Sequence, residues 1–372
     1  MSVNLKKLGL GGRVAACAIA ASMMFASVAE ACTGITMVAK DGTVVRGRTM
    51  EFGIDIKSNV IVVPRNFDRV GTAPDGASGK SWKTKYASVG ANALDLPVII
   101  DGLNEKGLSA GIFYFMDYAD YQPYTDADAA NTIAPWEVVS YILDNFATVE
   151  EARAGIEDVV VPAVVFKQWN MVMPVHYVVT DPSGATLVIE YVDGKLTLHD
   201  NPIGTVTNQP AFDWHLTNLN NYINLDLWNV EPKTIGKLKV PGLGEGTGLL
   251  GLPGDFTPPS RFVRAAIYSN GEFDSTDGPD ATFELFHILN NFDIPRGVVR
   301  TGREKDDHGN IIADYTQWTS GNDTKSKTFY IRTYDDSAIR KISLDDQDLD
   351  AKAVKTFMLD SEQEYFPLGD AQ

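Results

Sequence analysis

Short runs of alternating apolar and polar residues, separated by turn residues, recur along the chain and predict antiparallel strands. Residues 33–38 and 43–48 flank a Lys40-Asp41-Gly42 turn, and an Asp-Gly turn between such runs predicts a hairpin. Three later runs, separated by Asp-Pro-Ser-Gly and Asp-Gly turns, predict a meander over residues 176–180, 186–192 and 195–199. The other predicted strands are residues 59–64, 315–318 and 328–334.

Helical spacing appears in fewer segments. Pro135 occupies a first-turn position, and Trp136, Val139, Leu143 and Phe146 follow it at intervals of three and four residues. A capping box at residues 148–151 predicts the start of a second, short helix. Two more helices are predicted at residues 262–269 and 281–292. The last of them places Phe283, Phe286, Leu289 and Phe292 near one face. The six glycines of residues 242–254 predict a loop. Helices grouped between runs of antiparallel strands predict a layered α+β fold, not a doubly wound one.

The first thirty residues have the pattern of a secretory signal peptide. Lys6, Lys7 and Arg13 precede a small apolar run at residues 14–28, and Ala29-Glu30-Ala31 supplies the A-x-A pattern of a signal-peptidase site. The apolar run is too short to span a bilayer comfortably. We therefore expect cleavage after Ala31 and a periplasmic or secreted product.

Chain length and net charge indicate the number of domains and exclude some classes of partner. The chain has 372 residues and no repeat, low-complexity tract or linker, which favours a signal peptide at residues 1–31 and a single domain at residues 32–372. The formal net charge is −17, which argues against nucleic acid or an anionic membrane as a partner. We interpret the acidity as a contribution to solubility.

Cysteine usage directs attention to residue 32. Cys17 leaves with the signal peptide, so the mature chain keeps one thiol, Cys32, at its predicted N-terminus. The α-amino group there has a reference pKa of about 8, so it can accept the thiol proton and return it to a leaving amine. A cation beside the sulfur favours the thiolate, and Arg48 on the returning hairpin strand is placed to provide one. The histidines, none beside a nucleophile motif, are predicted to be packed or surface residues: His176, His199, His215, His287 and His308.

Lipid attachment is the competing use of a cysteine after a signal peptide. A lipobox usually has Leu three residues before the cysteine, but this chain has Ala29 there and Glu30 next. A lipid-anchored, non-catalytic binding protein stays open as an alternative. The intact mass of the mature protein separates the two hypotheses, because a diacylglyceryl or N-acyl group adds mass and an N-acyl group also blocks the α-amine.

An ordered series of motifs resembles the choloylglycine hydrolases, the N-terminal-nucleophile family of conjugated bile-acid hydrolases and penicillin V acylases. The motifs are CTG at 32–34, GRTME at 47–51, DGLNEKGL at 101–108, TNQP at 207–210, FDWHL at 212–216, GDF at 254–256, SRFVR at 260–264, YTQW at 315–318 and RTYD at 332–335. With no propeptide between signal and cysteine, the chain is most similar to the Gram-negative branch. The resemblance implies an αββα sandwich, two stacked antiparallel sheets between helical layers.

The resemblance also implies a catalytic set. Cys32 is the nucleophile and, through its amine, the general base; Arg48 stands beside the sulfur. Asn208 offers its side-chain amide to the oxyanion, and Arg261 is the second arginine of the site. The backbone N–H of Tyr114, or of Phe113 if the alignment slips by one residue, completes the oxyanion hole.

Position 51 departs from the family pattern, because the family usually has aspartate where this chain has Glu51. Either carboxylate can hold the α-ammonium or orient the nucleophile, but the extra methylene changes the reach of the side chain. No cofactor and no metal is implied.

The family cleaves linear amides between a bulky or apolar acyl group and a small amine. Conjugated bile acids, penicillin V and acyl-homoserine lactones are all represented, and a tyrosine at position 114 is more typical of the penicillin acylases. The aromatic residues Phe52, Phe113, Phe115 and Tyr118 are candidates for an acyl pocket or for ordinary core packing. The resemblance also implies a homo-oligomer, commonly a tetramer.

Overall fold

The computed structural model describes residues 31–305, 309 and 311–369. The predicted signal peptide lies outside these residues except for Ala31, and so does His308. In chain order the strands are β1 (Thr33–Val38), β2 (Val44–Phe52), β3 (Val60–Val63), β4 (Asp68–Thr72), β5 (Ser78–Lys83), β6 (Ser88–Ala91), β7 (Asp101–Asn104), β8 (Ser109–Tyr114), β9 (Val165–Phe166), β10 (Met171–Val172), β11 (Val175–Thr180), β12 (Thr186–Val192), β13 (Lys195–Asp200), β14 (Lys233–Ile235), β15 (Leu238–Val240), β16 (Val299–Lys305), β17 (Ile311–Asp323), β18 (Thr328–Thr333), β19 (Arg340–Ser343) and β20 (Lys355–Phe357). The helices are α1 (Val138–Asn145), α2 (Val149–Glu157), α3 (Phe212–Asn218), α4 (Pro258–Ser269) and α5 (Gly278–Leu289).

Two antiparallel sheets form the centre of the fold. The first sheet has the order β1-β2-β17-β18-β19, with β16 paired to β17, and the second has the order β13-β12-β11-β8-β7-β6-β3-β20. Helices α4 and α5 pack on β1 and β2 of the first sheet, while α1 and α2 pack on β7, β8, β11 and β12 of the second. The sheets therefore lie between helical layers, as predicted.

Alternate residues of β2 leave opposite faces of the first sheet. Val45 packs with the helices α4 and α5, whereas the Arg48 guanidinium donates to the carbonyl of Ile112 on β8, in the second sheet. Met50 and Phe52 follow Arg48 on the same face and line a cavity between the layers. Arg46 lies on the same face and pairs with Asp101 on β7. The alternation thus carries two arginines and two apolar side chains of β2 into the space between the sheets.

Most of the predicted elements are confirmed. The β1–β2 hairpin, the β11–β12–β13 meander and the pairing of β17 with β18 are all present. The Thr148 side chain caps α2 by accepting from the backbone N–H of Glu151, as the capping box predicts. Pro135 begins a short 3₁₀ turn that leads into α1.

The predicted apolar face of the helix at residues 281–292 is partly wrong. Phe286, Leu289 and Phe292 are buried, but Phe283 is 59% exposed. A spacing of three residues falls 60° short of a full turn, so successive residues drift around the helix and the first member leaves the apolar face. The segment also differs at its end, because a 3₁₀ turn over Asn290–Phe292 follows α5.

Candidate active site

Cys32 lies immediately before β1 and is 2% exposed. It is bonded to Ala31, so its nitrogen is a peptide N–H, which donates to Asn208 Oδ1 at 2.8 Å. Two residues further on, Gly34 lies against the Phe113 ring, where a Cβ would be 2.7 Å from Cζ. Only glycine fits this approach, which explains why it follows Cys-Thr.

Asn208 and Arg261 form the polar wall around the Cys32 backbone. Arg261, on α4, donates through Nη1 to the Cys32 carbonyl at 2.5 Å and to Thr33 Oγ1 at 2.9 Å. Its Nη2 donates to Asn208 Oδ1 at 2.7 Å. Asn208 Nδ2 donates in turn to the Tyr114 carbonyl at 2.9 Å, at the end of β8. Four of the predicted residues are therefore joined by direct hydrogen bonds.

Arg48 is fully buried between the sheets. Its guanidinium donates to the carbonyls of Thr49 and Ile112 and lies 4.3 Å from the centre of the Phe113 ring. Within the described residues no hydrogen bond joins it to Cys32, and its place beside the sulfur stays a prediction. The charge of Arg261 interacts with Cys32.

Glu51 belongs to the same buried cluster. Burial raises its pKa from 4.5 to about 8, although the charges of Arg261 and Arg48 and a 2.8 Å hydrogen bond from Thr316 Oγ1 oppose the shift. Burial also lowers the pKa of Arg261 to about 10, a change that Glu51 and Cys32 partly offset. At neutral pH the guanidinium is thus charged and the Glu51 carboxyl is largely protonated.

Asp314 is a second buried carboxyl near Arg261 that sequence analysis missed. Neither of its oxygens has a hydrogen-bond partner within the described residues, and burial raises its pKa to about 7. It lies on β17, one residue before the YTQW motif. Its position next to that motif was the only indication in the sequence that it belongs to the site. Strand alternation alone does not show that Asp314 lies near Arg261.

An apolar cavity opens beside Cys32. Tyr114, Met50 and Phe52 line it, and no ionised side chain does. The remaining lining residues are Ile56, Ala93, Leu94, Leu96, Val98, Ile100, Ile112, Trp136, Phe166, Trp169, Met173 and Val175. Neighbouring rings pack in sequence, with Phe52 stacked on Trp169 at 5.1 Å and Trp169 edge-on to Phe166 at 5.4 Å.

The predicted aromatic lining is confirmed only for Phe52. Phe113 packs beneath Arg48 and Gly34, and Phe115 stacks on His176 at 4.5 Å. Tyr118 is 40% exposed. Phe113 and Phe115 leave β8 on the side opposite Tyr114, because adjacent residues of a strand point to opposite faces. The missed lining residues lie on two segments, Trp136 just before α1 and Phe166 with Trp169 around β9, and no local pattern connects the two.

Within the described residues no group of three or more His, Cys, Asp and Glu side chains is arranged to hold a metal ion. No helix in this part of the chain is long and apolar enough to cross a membrane. The arrangement is that of a thiol at the edge of an apolar cavity, with an amide and a guanidinium fixed at its backbone. Such a site suits nucleophilic attack on an uncharged acyl group.

Comparison with known proteins agrees with this chemistry. The family model described as linear amide C–N hydrolases, choloylglycine hydrolase family, matches residues 32–357. A bile salt hydrolase/transferase from Clostridium perfringens is 34% identical over 328 residues, which cover 88% of this chain and 96% of that protein.

Solved structures agree as well. A variant of the conjugated bile acid hydrolase from Clostridium perfringens has a TM-score of 0.80 and 32% identity, and the match covers 91% of this chain and 100% of that one. Penicillin V acylase from Agrobacterium tumefaciens has a TM-score of 0.71 and 26% identity, covering 89% of this chain and 94% of its own. The predicted family and its N-terminal-nucleophile fold are confirmed. The chain belongs to the choloylglycine hydrolase family and is a hydrolase of linear amide C–N bonds.

Proposed function

We propose that the chain is an exported cysteine amidase whose nucleophile is the N-terminal thiol produced by cleavage after Ala31. The observation that carries this proposal is the position of Cys32, which lies at the edge of the apolar cavity with Asn208 and Arg261 bonded at its backbone. Cleavage converts the peptide nitrogen of Cys32 into an amine within the same hydrogen-bonding cluster. Thiol and base are then on one residue.

The reaction has two halves. The Cys32 thiol transfers its proton to the α-amine and attacks the amide carbonyl, forming a C–S bond and a tetrahedral oxyanion. One Asn208 N–H is bonded to the Tyr114 carbonyl, while the other makes no hydrogen bond within the described residues and is assigned to the oxyanion, together with the backbone N–H of Tyr114. The C–N bond breaks as the α-ammonium returns its proton to the leaving amine. Water then hydrolyses the thioester to a carboxylic acid.

Arg261 and Glu51 set the charge around this reaction. The charge of Arg261 interacts with Cys32. Glu51 interacts with the same guanidinium, so we assign it to the new α-ammonium, in place of the aspartate that is usual in the family. Arg48 acts indirectly, because it donates to the Ile112 carbonyl and packs on the Phe113 ring and so keeps both in place beside the site.

For the substrate we propose amides with an uncharged aryl or alkyl acyl group, of which the phenoxyacetyl group of penicillin V is the type. The linked rings of Tyr114, Phe52 and Trp169 offer flat apolar contact surfaces. A relative named for penicillin V and one named for bile salts both match along most of the chain. The amine side of the substrate then faces the polar wall formed by Asn208 and Arg261.

Turnover of three amide classes tests the assignment. Purified mature protein is incubated with penicillin V, glycocholate and an N-acyl-homoserine lactone, and kcat/KM is measured for each. We expect penicillin V to be the best substrate and Cys32→Ala to reduce its turnover by more than about 10³-fold. A higher kcat/KM for glycocholate or the lactone would overturn penicillin V as the type of substrate, and full activity of Cys32→Ala would overturn the mechanism.

Export and the free amine have their own test, the intact mass of the mature N-terminus. We expect a chain that begins at an unmodified Cys32 and is recovered in the periplasmic or secreted fraction. A mass increase that corresponds to a diacylglyceryl group, together with partition into detergent, would instead support the lipid-anchored binding protein.

A further inference from the structure

Two histidines hold the peptide carbonyls on either side of the Asn208 side chain. His176, on β11, donates through Nε2 to the Thr207 carbonyl at 3.0 Å. His215, on α3, donates through Nε2 to the Asn208 carbonyl, also at 3.0 Å. Both rings are buried, and they come from different layers of the fold. The short segment that carries Asn208 is thus held from two directions.

We infer that His176 and His215 are positioning residues that fix the Asn208 amide for oxyanion binding. The inference rests on the proposed function, in which that amide acts on the oxyanion. A histidine requirement would then exist in an enzyme whose chemistry uses no histidine. Because a displacement of about 1 Å at a catalytic group typically costs about 10²-fold in rate, this support affects the chemical step directly.

Both ring nitrogens of His176 face acceptors. Its Nδ1 lies 3.1 Å from Glu190 Oε1, and its Nε2 faces a carbonyl, which can only accept. Burial alone would raise the pKa of Glu190, but hydrogen bonds from His176 and His199 outweigh it and lower the pKa to about 2. Glu190 is therefore a carboxylate that fixes the orientation of the His176 ring.

His215 is neutral and donates through one nitrogen. Burial lowers its pKa to about 4, so the ring is neutral at working pH. Its Nδ1 has no partner within the described residues, which leaves the proton on Nε2 facing the Asn208 carbonyl. The ring stacks on Phe262 at 4.5 Å, and this contact sets its orientation.

His199 provides a matched control. Its Nε2 lies 3.3 Å from Glu190 Oε2, so it contacts the same carboxylate as His176. Its other ring contact is with Phe212 at 5.8 Å, and the structure gives it no hydrogen bond to the carbonyls of residues 207 and 208. Replacing it perturbs the acidic partner and the nearby packing while leaving the support of Asn208 intact.

The first test is kinetic and compares His215→Ala, His215→Gln, His176→Ala, His176→Gln and His199→Ala. We expect His215→Ala and His176→Ala to lower kcat by about 10- to 100-fold with KM nearly unchanged. His215→Gln and His176→Gln can still donate to their carbonyls and should recover most of the rate, while His199→Ala should stay within about twofold of wild type. Equal losses in His199→Ala and His176→Ala, or no loss in His215→Ala, would overturn the inference.

The second test is spectroscopic and does not depend on turnover. Long-range ¹H–¹⁵N spectra of histidine-labelled protein separate imidazolium rings from neutral tautomers. At neutral pH we expect two buried rings with a proton on Nε2, one of which disappears in His176→Gln and the other, a neutral tautomer, in His215→Gln. A His176 or His215 ring without a proton on Nε2 would overturn the inference.

Failure of the two ideas can be told apart. If wild-type protein hydrolyses none of the amides, or Cys32→Ala is fully active, the proposed function fails. If wild type is active and Asn208→Ala is impaired while the His215 and His176 variants are not, the proposed function stands and only the inference about the histidines fails. Near-ultraviolet circular dichroism of each variant verifies that it is folded.

Discussion

At the residue scale, the site combines the buried guanidinium groups of Arg48 and Arg261 with two buried carboxyls that hold protons near neutral pH. Arg261 interacts with both Glu51 and Asp314, and burial raises the pKa of Glu51 to about 8 and that of Asp314 to about 7. Buried cations favour ionised neighbours, but desolvation outweighs them here. The proposed cleavage after Ala31 would add a further positive charge to the cluster, which favours the ionised form of Glu51.

A pH-dependent stability follows from Glu51. Its folded pKa of about 8 lies above its ordinary value of 4.5, so its stabilising effect is fully present below 4.5 and is lost as pH rises through 8. Glu51→Gln stays neutral throughout. We therefore expect the variant to gain in free energy of unfolding relative to wild type between pH 5 and pH 8, by ~1 kcal/mol or more, in urea denaturation of the unprocessed chain.

The processed chain is the control for that experiment. The new α-ammonium should lower the pKa of Glu51, so the advantage of Glu51→Gln at pH 8 should shrink or reverse after cleavage, with processing verified by intact mass. An identical difference between wild type and variant at both pH values, in the unprocessed chain, would contradict the raised pKa.

At the element scale, the site depends on two sheets that are joined by buried polar groups. Arg46 on β2 forms a 2.8 Å ion pair with Asp101 on β7, and its Nη1 donates to Ser109 Oγ at 3.1 Å. Ser320 on β17 donates to the other Asp101 oxygen at 2.7 Å. Each charge is therefore paired and hydrogen-bonded, which is the condition under which burial of an ion pair is tolerated.

Breaking this pair should be costly. Asp101→Asn leaves the buried Arg46 charge unpaired, and loss of one partner in such a pair typically costs about 3–5 kcal/mol of unfolding free energy. The double variant Arg46→Met with Asp101→Leu buries no charge, so we expect it to be more stable than Asp101→Asn. Chemical denaturation compares the three proteins, and a double variant less stable than the single one would contradict the expectation.

Elements with turn signals at their ends could be predicted from the sequence, as in the β11–β12–β13 meander. Three central strands of the second sheet, β6, β7 and β8, were missed. They are buried on both faces and contain glycine, serine and aspartate, so they show neither alternation nor a long apolar run. The family motifs identified Cys32 and Asn208 from the sequence. The contact between Trp136 and Phe166, in contrast, depends on tertiary packing, which no local sequence pattern predicts.

At the scale of the whole molecule, one segment stands apart from the sandwich. Residues 223–250 carry the β14–β15 hairpin, which pairs only with itself in the described structure. Trp228 is 82% exposed and Leu243 is 98% exposed, and other large apolar side chains of the segment are exposed too. A monomeric protein seldom exposes such a concentration of apolar residues. The segment also carries Lys233, Lys237 and Lys239, in a chain with a net charge of −17.

We propose that this segment contacts a second copy of the chain, in line with the homo-oligomer that the family resemblance implies. Its apolar side chains would be buried against the partner copy, and its lysines would meet the partner's acidic surface, which steers association. Sedimentation velocity should show an assembly larger than one chain for wild type and a shift towards monomer for the double variant Trp228→Ser, Leu243→Ser. Phe283→Ser removes an exposed aromatic residue on α5 and should leave the assembly unchanged. A monomeric wild type, or an assembly unaffected by the double variant, would contradict the proposal, because the exposed apolar segment would then need a different partner.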